Sequence, residues 1–213
     1  SAYIDFRLGE IWRWMREQGL YEESVIILVS DHGEAFFEHG QVWSHGVNVF
    51  DETTHVPLII KLPKSLRVKG RVSNLVQLTD IFPTIAGLFG KTVECDGRDA
   101  FRLIGQKGMD DTFAVSRTGW FSTGENPATY SLRWRNWYYI LDTKTREAQL
   151  YQLDGDPQRD VLPLHPQIAT LFEARFFSWY KEFEKRDVPI CRMKLPKMSP
   201  EEIETLKSLG YLK

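Results

Sequence analysis

Cysteine is scarce in this chain. The 213 residues contain two, Cys95 and Cys191, which allow at most one disulfide and exclude a disulfide-stapled scaffold. Long hydrophobic runs are missing as well: none approaches the ~20 residues that a membrane-spanning helix needs. Neither sign of charge dominates, since 27 Lys and Arg oppose 29 Asp and Glu for a net charge of −2. The basic residues form no obvious stripe, which argues against a nucleic-acid partner. There is no glycine-rich loop of nucleotide-binding form and no cysteine pair with zinc-ribbon spacing. Repeats and low-complexity segments are absent. What remains is an ordinary globular composition, 42% hydrophobic and 26% charged. A chain of this length buries roughly 70% of its unfolded surface, as one large domain or a domain with an appendage. Aromatic residues, at 13%, fit a large core or a ring-lined surface, the core being their commoner use.

Histidine is sparse but concentrated. Four of the five histidines, His32, His39, His45 and His55, fall within 24 residues. The first follows an apolar run, Val25–Ser30, directly after Asp31. An Asp beside a His at the end of a buried strand presents two metal donors from one rigid point, at little ordering cost. The same pair can also cap a loop and bind nothing. Two ligands are too few for a tight site, so others must come from elsewhere. His45, in a Ser-His-Gly turn, is placed to donate to an anionic oxygen or a leaving group, its unperturbed pKa of ~6.5 being near neutrality; a solvated loop histidine is the alternative. His39 and Glu38 lie in a loop that can touch substrate. His55 precedes the strand opened by Val56-Pro57 and suits loop orientation or a position facing the site. Glu34 is either a base or an acid that orients its neighbours.

Along the chain, the spacing of Ile4, Leu8, Ile11, Trp12 and Met15 predicts an amphipathic helix over 3–19, closed by Gly19. The continuous run 25–30 reads as a strand buried on both faces, as in parallel sheets. Residues 31–56 form a long connection, and such loops often carry function. Residues 58–62 and 72–78 read as further strands, and 81–89 as a helix ended by Gly90. Helix–strand alternation makes this first half an α/β layered structure. Short aromatic or β-branched runs at 113–116, 129–135, 137–141 and 148–153 then predict a small antiparallel sheet. A long helix follows over 167–186, and Ser199-Pro200-Glu201-Glu202 opens a last one with a capping serine and a proline at the first helical position.

These residues resemble a known family. Ser30-Asp31-His32-Gly33-Glu34, Glu38-His39-Gly40, His45-Gly46, Phe50-Asp51-Glu52 and His55-Val56-Pro57-Leu58-Ile59-Ile60 are similar to the C-terminal half of a sulfatase, within the alkaline phosphatase-like superfamily. Asp80-Ile81-Phe82-Pro83-Thr84 resembles the family's D-x-x-P-T helix, Asp96-Gly97-Arg98 its following loop, and Leu150-Tyr151-Gln152-Leu153-Asp154-Gly155-Asp156-Pro157 its L-Y-x-L-x-x-D-P turn. Ser199-Pro200-Glu201 and Leu209-Gly210-Tyr211-Leu212 are similar to the tails of bacterial members. The resemblance runs in order through nearly the whole chain.

The resemblance implies a mostly parallel α/β sandwich flanked by helices, with a small C-terminal antiparallel sheet and packed helices. Residues 1–108 would complete the catalytic domain and 109–213 form the smaller subdomain, with the boundary near 105–112. It implies Asp31 and His32 as ligands of a divalent metal, calcium first, with manganese or zinc as alternatives. His45 stands at or beside the family's sulfate-contacting lysine and is the implied catalytic residue. His39, His55 and Trp43 are the substrate-facing candidates, although His55 replaces an arginine and is not expected to be catalytic. The family nucleophile, a formylglycine made inside Cys/Ser-x-Pro-x-Arg, matches neither Cys95 nor Cys191, and no strand before Asp31 supplies the family's acidic pair of metal ligands. The chain is therefore expected to be the C-terminal portion of a sulfuric ester hydrolase, inactive alone and partnered by the N-terminal half of the same enzyme. The expected substrate is a sulfated small molecule or glycan, and the expected compartment is periplasmic, secreted or lysosomal. Two other readings stand beside it: a phosphodiesterase or phosphoethanolamine transferase of the same superfamily, and a catalytically silent fragment that acts as a binding module.

Overall fold

The computed structural model describes residues 2–40, 48–66, 69–103, 112–118, 129–185, 199–201 and 204. Helix α1 (Ala2–Glu17) occupies most of the predicted span. It ends where Gly19 takes a left-handed φ of 69°. The Leu20 and Gly19 amides then bond back to the Met15 and Arg16 carbonyls, at 2.8 and 3.0 Å. This double closure needs a residue without a Cβ penalty at that point. Tyr21 follows, its ring covered by the Arg16 guanidinium at 4.2 Å and by the Lys61 ammonium at 4.7 Å. Lys61 also donates to the Glu22 and Ser24 carbonyls, so the turn after α1 is fixed to the second strand.

Strands β1 (Ile26–Val29) and β2 (Leu58–Lys61) pair antiparallel, with Ile26 opposite Lys61 and Val29 opposite Leu58. The parallel arrangement expected for this part of the chain is not found among the described residues. β1 is also less buried than its apolar run suggests, Val29 being exposed. A continuous apolar run reports on burial of two faces and carries no information on strand direction. Between these strands lies the short helix α2 (Asp51–Thr54). After them, 72–78 is not a strand. Its end instead forms a 3₁₀ turn, Leu78–Asp80, in which Gln77 and Asp80 cap each other reciprocally. Helix α3 (Ile81–Leu88) continues from it.

Asp80, almost fully buried, explains the D-x-x-P-T pattern. Its carboxylate accepts the Gln77 amide at 2.9 Å and the Arg98 amide at 2.7 Å. Thr84 accepts the Ala100 amide at 2.8 Å. A carboxylate taking several backbone N–H bonds is a favourable way to bury a charge. The motif thus folds the loop after α3 back onto its start.

The second sheet is an antiparallel meander of β3 (Ala114–Thr118), β4 (Thr129–Trp134), β5 (Trp137–Asp142) and β6 (Ala148–Gln152). All four strands match the expected runs within two residues. Arg135-Asn136 forms the two-residue β4–β5 connection, with Trp134 opposite Trp137 and Arg135 at a φ of 52°. One face presents Tyr130, Leu132, Tyr139, Leu141 and Leu150, all buried. Tyr139 stacks on Phe172 of helix α4 (Pro166–Lys185), with ring centroids 5.4 Å apart. The opposite face places Tyr138, Ile140 and Tyr151 against Val49 and Phe50. β5 is therefore buried on both sides, and this is the face that locates the functional loop.

By contacts the chain divides into two compact units, Ser1–Glu173 and Ala174–Lys213. Both sheets belong to the first. In the second, Phe176, Phe177, Trp179, Tyr180 and Phe183 make a run of ring contacts along α4. Most of the boundary expected at 105–112, and most of the last helix, lie outside the described residues. No described helix is long and apolar enough to cross a membrane.

Candidate metal centre

β1 delivers Asp31 and His32 at its carboxyl end, and the loop that follows is held at several points. Ser30 Oγ donates to the His32 carbonyl at 2.7 Å. The Gly33 amide donates to the Thr53 carbonyl at 2.8 Å. Gly33 lies so close to α2 that a Cβ there would collide with the Glu52 carbonyl. The glycine thus permits close backbone approach, and α2 is the wall against which the loop is shaped.

This packing fixes the His32 ring. Nδ1 lies 2.8 Å from the Gly33 carbonyl, and since a carbonyl only accepts, Nδ1 carries the proton. Nε2 then presents its lone pair. It faces Asp31 Oδ2 at 3.7 Å, while Asp31 Oδ1 accepts the His32 amide at 3.0 Å. Two electron-rich atoms at that separation favour a shared cation, either a proton on Nε2 or a metal. Neighbouring ligands on one ion with bonds of ~2.0–2.4 Å sit roughly 3–4 Å apart. The residues present therefore fit two positions of a divalent metal shell. Among the described residues no group of three or more His, Cys, Asp or Glu converges.

The other predicted residues separate. His55 lines the same open cleft as Asp31 and His32. It is largely exposed, and its Nδ1 is 3.4 Å from Asp51 Oδ2. The other Asp51 oxygen pairs with Arg133 of β4. His39 is nearly buried, with Nδ1 3.0 Å from Glu52 Oε1 and Nε2 3.2 Å from the Pro157 carbonyl. Both partners are acceptors within the protein, so both ring nitrogens are directed inward. Its backbone φ is 52° and that of Phe37 is 73°. Left-handed non-glycine residues cost of order 1–3 kcal/mol each and persist where surrounding contacts over-determine them. His45 and Trp43 lie outside the described residues. Asn48, Arg117 and Arg133 also line the cleft. The two arginines come from the small sheet, and no local motif marked them.

A family model described as Sulfatase matches residues 1–91. Arylsulfatase K of Gallus gallus is 31% identical over 169 residues, covering 73% of this chain and 30% of the relative. Arylsulfatase K of Danio rerio is 31% identical over 177 residues, covering 79% and 33%. The chain belongs to the sulfatase family. It spans about a third of the length of these relatives. Among solved structures, a putative sulfatase from Bacteroides thetaiotaomicron superposes with a TM-score of 0.71 at 21% identity, covering 84% of this chain and 40% of that one. A phosphonate monoester hydrolase from Silicibacter pomeroyi gives 0.68 at 22% identity, covering 84% and 39%. These likenesses place the chain in the alkaline phosphatase-like fold. For this sulfatase-family chain, the D-H-G segment is the point at which family membership and local geometry meet.

Proposed function

We propose that this chain is the C-terminal portion of a metal-dependent sulfuric ester hydrolase, with Asp31 and His32 as two of the metal ligands. The observation that carries this reading is the convergence of Asp31 Oδ2 and His32 Nε2 at 3.7 Å, with the opposite ring nitrogen anchored on a carbonyl. When bound, a divalent ion, calcium first and manganese or zinc otherwise, would supply positive charge against the sulfate ester oxygens. The protein's own part is to fix the imidazole tautomer and hold both donors on one short loop. His45 is assigned to the leaving oxygen, as a proton donor suited to near-neutral pH. His55, exposed on the cleft, and Trp43 are assigned to the substrate. The nucleophile, a formylglycine, belongs to a segment upstream of these residues. The substrate class is a sulfated small molecule or glycan. The phosphonate monoester hydrolase likeness keeps a phosphorus ester as the second reading, since that fold serves more than one anion.

The test uses the full enzyme with an aryl sulfate and the matching phosphate and phosphonate esters. Sulfate-ester turnover is expected to dominate. His32→Ala should lower metal content and turnover together, whereas His45→Ala should lower turnover by roughly 10²–10⁴-fold with metal content intact. Normal metal content in His32→Ala would remove His32 from the centre. Preference for the phosphorus esters would replace the sulfatase reading by the second.

A further inference from the structure

We infer that His39 is a positioning residue for His32, acting through Glu52, and that the turn after β6 is part of this device. The inference rests on the reading of Asp31 and His32 as one site.

His39 joins three segments through one ring. Nδ1 meets Glu52 Oε1 at 3.0 Å, Nε2 meets the Pro157 carbonyl at 3.2 Å, and the ring face stacks on Phe50, with centroids 3.9 Å apart and planes 4° from parallel. Tyr151 closes the edge at 5.5 Å. Glu52 belongs to α2, and its carbonyl is the atom against which Gly33 packs, while the next carbonyl, of Thr53, takes the Gly33 amide. The Gly33 carbonyl in turn holds His32 Nδ1. The sequence of contacts therefore runs from Pro157 and His39 to Glu52, then Gly33, then the ring whose Nε2 faces Asp31. Each link is a direct contact, and the chain ends on the atom proposed to bind metal.

This arrangement gives a reason for two features the site itself does not use. The left-handed backbone at His39 is held by its side chain's contact with Glu52, whereas Phe36 and Phe37 are exposed. The D-P turn of the small sheet contributes the one carbonyl that seats Nε2. The second sheet thus reaches the candidate centre by hydrogen bonding without contributing a ligand.

The two ring nitrogens can be separated by substitution. His39→Asn keeps a donor where Nδ1 reaches Glu52, and His39→Gln keeps one where Nε2 reaches Pro157; His39→Ala keeps neither. The readouts are the ¹⁵N signals of the His32 imidazole, which report its tautomer, and hydrogen exchange of the Gly33 amide. The native chain should show His32 protonated at Nδ1. In His39→Ala and His39→Gln, the tautomers should mix and Gly33 exchange should rise by about tenfold or more. His39→Asn, which keeps the Glu52 link but loses the one to Pro157, should restore both signals only part of the way to native. Glu52→Ala, which removes the acceptor facing Nδ1, should reproduce the His39→Ala pattern. If His39→Ala leaves His32 and Gly33 unchanged, or if Asn and Gln behave alike, the inference fails. Should the alanine variant not fold, the Asn and Gln pair decides by the same comparison. These signals do not depend on ester hydrolysis. Absent sulfatase activity with the expected signals would overturn the functional reading alone.

Discussion

An alanine methyl at position 33 would arrive against the Glu52 carbonyl oxygen, well inside van der Waals contact. The neighbouring atoms are backbone, so neither side can yield by rotating a side chain. Gly33→Ala should therefore displace the loop from α2 and cost about 1–3 kcal/mol, in the range of overpacking elsewhere. Denaturant unfolding of the variant measures the loss, and an unchanged midpoint would show that the loop can move away freely. The sequence marked Asp31, His32 and Gly33 because they are adjacent and close a strand. It did not reveal what His39 does, because its partner carbonyl on Pro157 lies 118 residues away. Local patterns report neighbours along the chain, and a ring held by two distant acceptors leaves none. Arg133, which pairs with Asp51 across the sheet, was missed for the same reason.

The small sheet was legible as elements because its strands are short, β-rich and punctuated by turn residues. Asp142, for example, caps the β5–β6 turn by accepting the Lys144 and Thr145 amides. Direction in the first pair was not legible, and β5 shows why. Its unbroken apolar run is buried on both faces of an antiparallel sheet, Phe172 packing on Tyr139 on one side and Val49 and Phe50 lying against Tyr138 and Ile140 on the other. The same double burial sets the behaviour of the tyrosines. Tyr138 donates to the Val49 carbonyl and contacts Ser131 and Thr54 hydroxyls. Burial pushes its phenol, and that of Tyr139, above the ordinary value of 10.0, and pushes Tyr151 up to about 12. A raised phenol keeps its proton in the fold while the unfolded chain ionises. The stability it carries is complete below the unfolded value and is lost as pH climbs through the folded one. The denaturation midpoint should thus be steady near about pH 8 and fall by about pH 11. Tyr151→Phe should flatten that fall. An equally steep decline in the variant would place the alkaline sensitivity elsewhere.

At the scale of the molecule, two donors do not make a strong metal site, and mass action turns that into a measurable difference. A ligand that binds only the folded state stabilises it by RT ln(1 + [L]/Kd), about 2.7 kcal/mol at a hundredfold excess over Kd. The proposed ligands Asp31 and His32 would fill two positions, whereas calcium takes six to eight oxygen ligands, so residues 1–213 alone should bind it too weakly to gain much. A longer polypeptide that adds the acidic ligands expected of the family should gain the full amount. Thermal unfolding of both, with and without millimolar calcium, makes the comparison. A clear rise in Tm for the longer protein, abolished by Asp31→Asn, together with a negligible rise for the shorter one, is the expected outcome. An equal rise in both would mean that the described segment holds its metal without further ligands. No rise in either would remove calcium from the proposal and leave manganese and zinc to be tried in the same way. The size of the gap would thus measure how much of the proposed centre a longer polypeptide supplies.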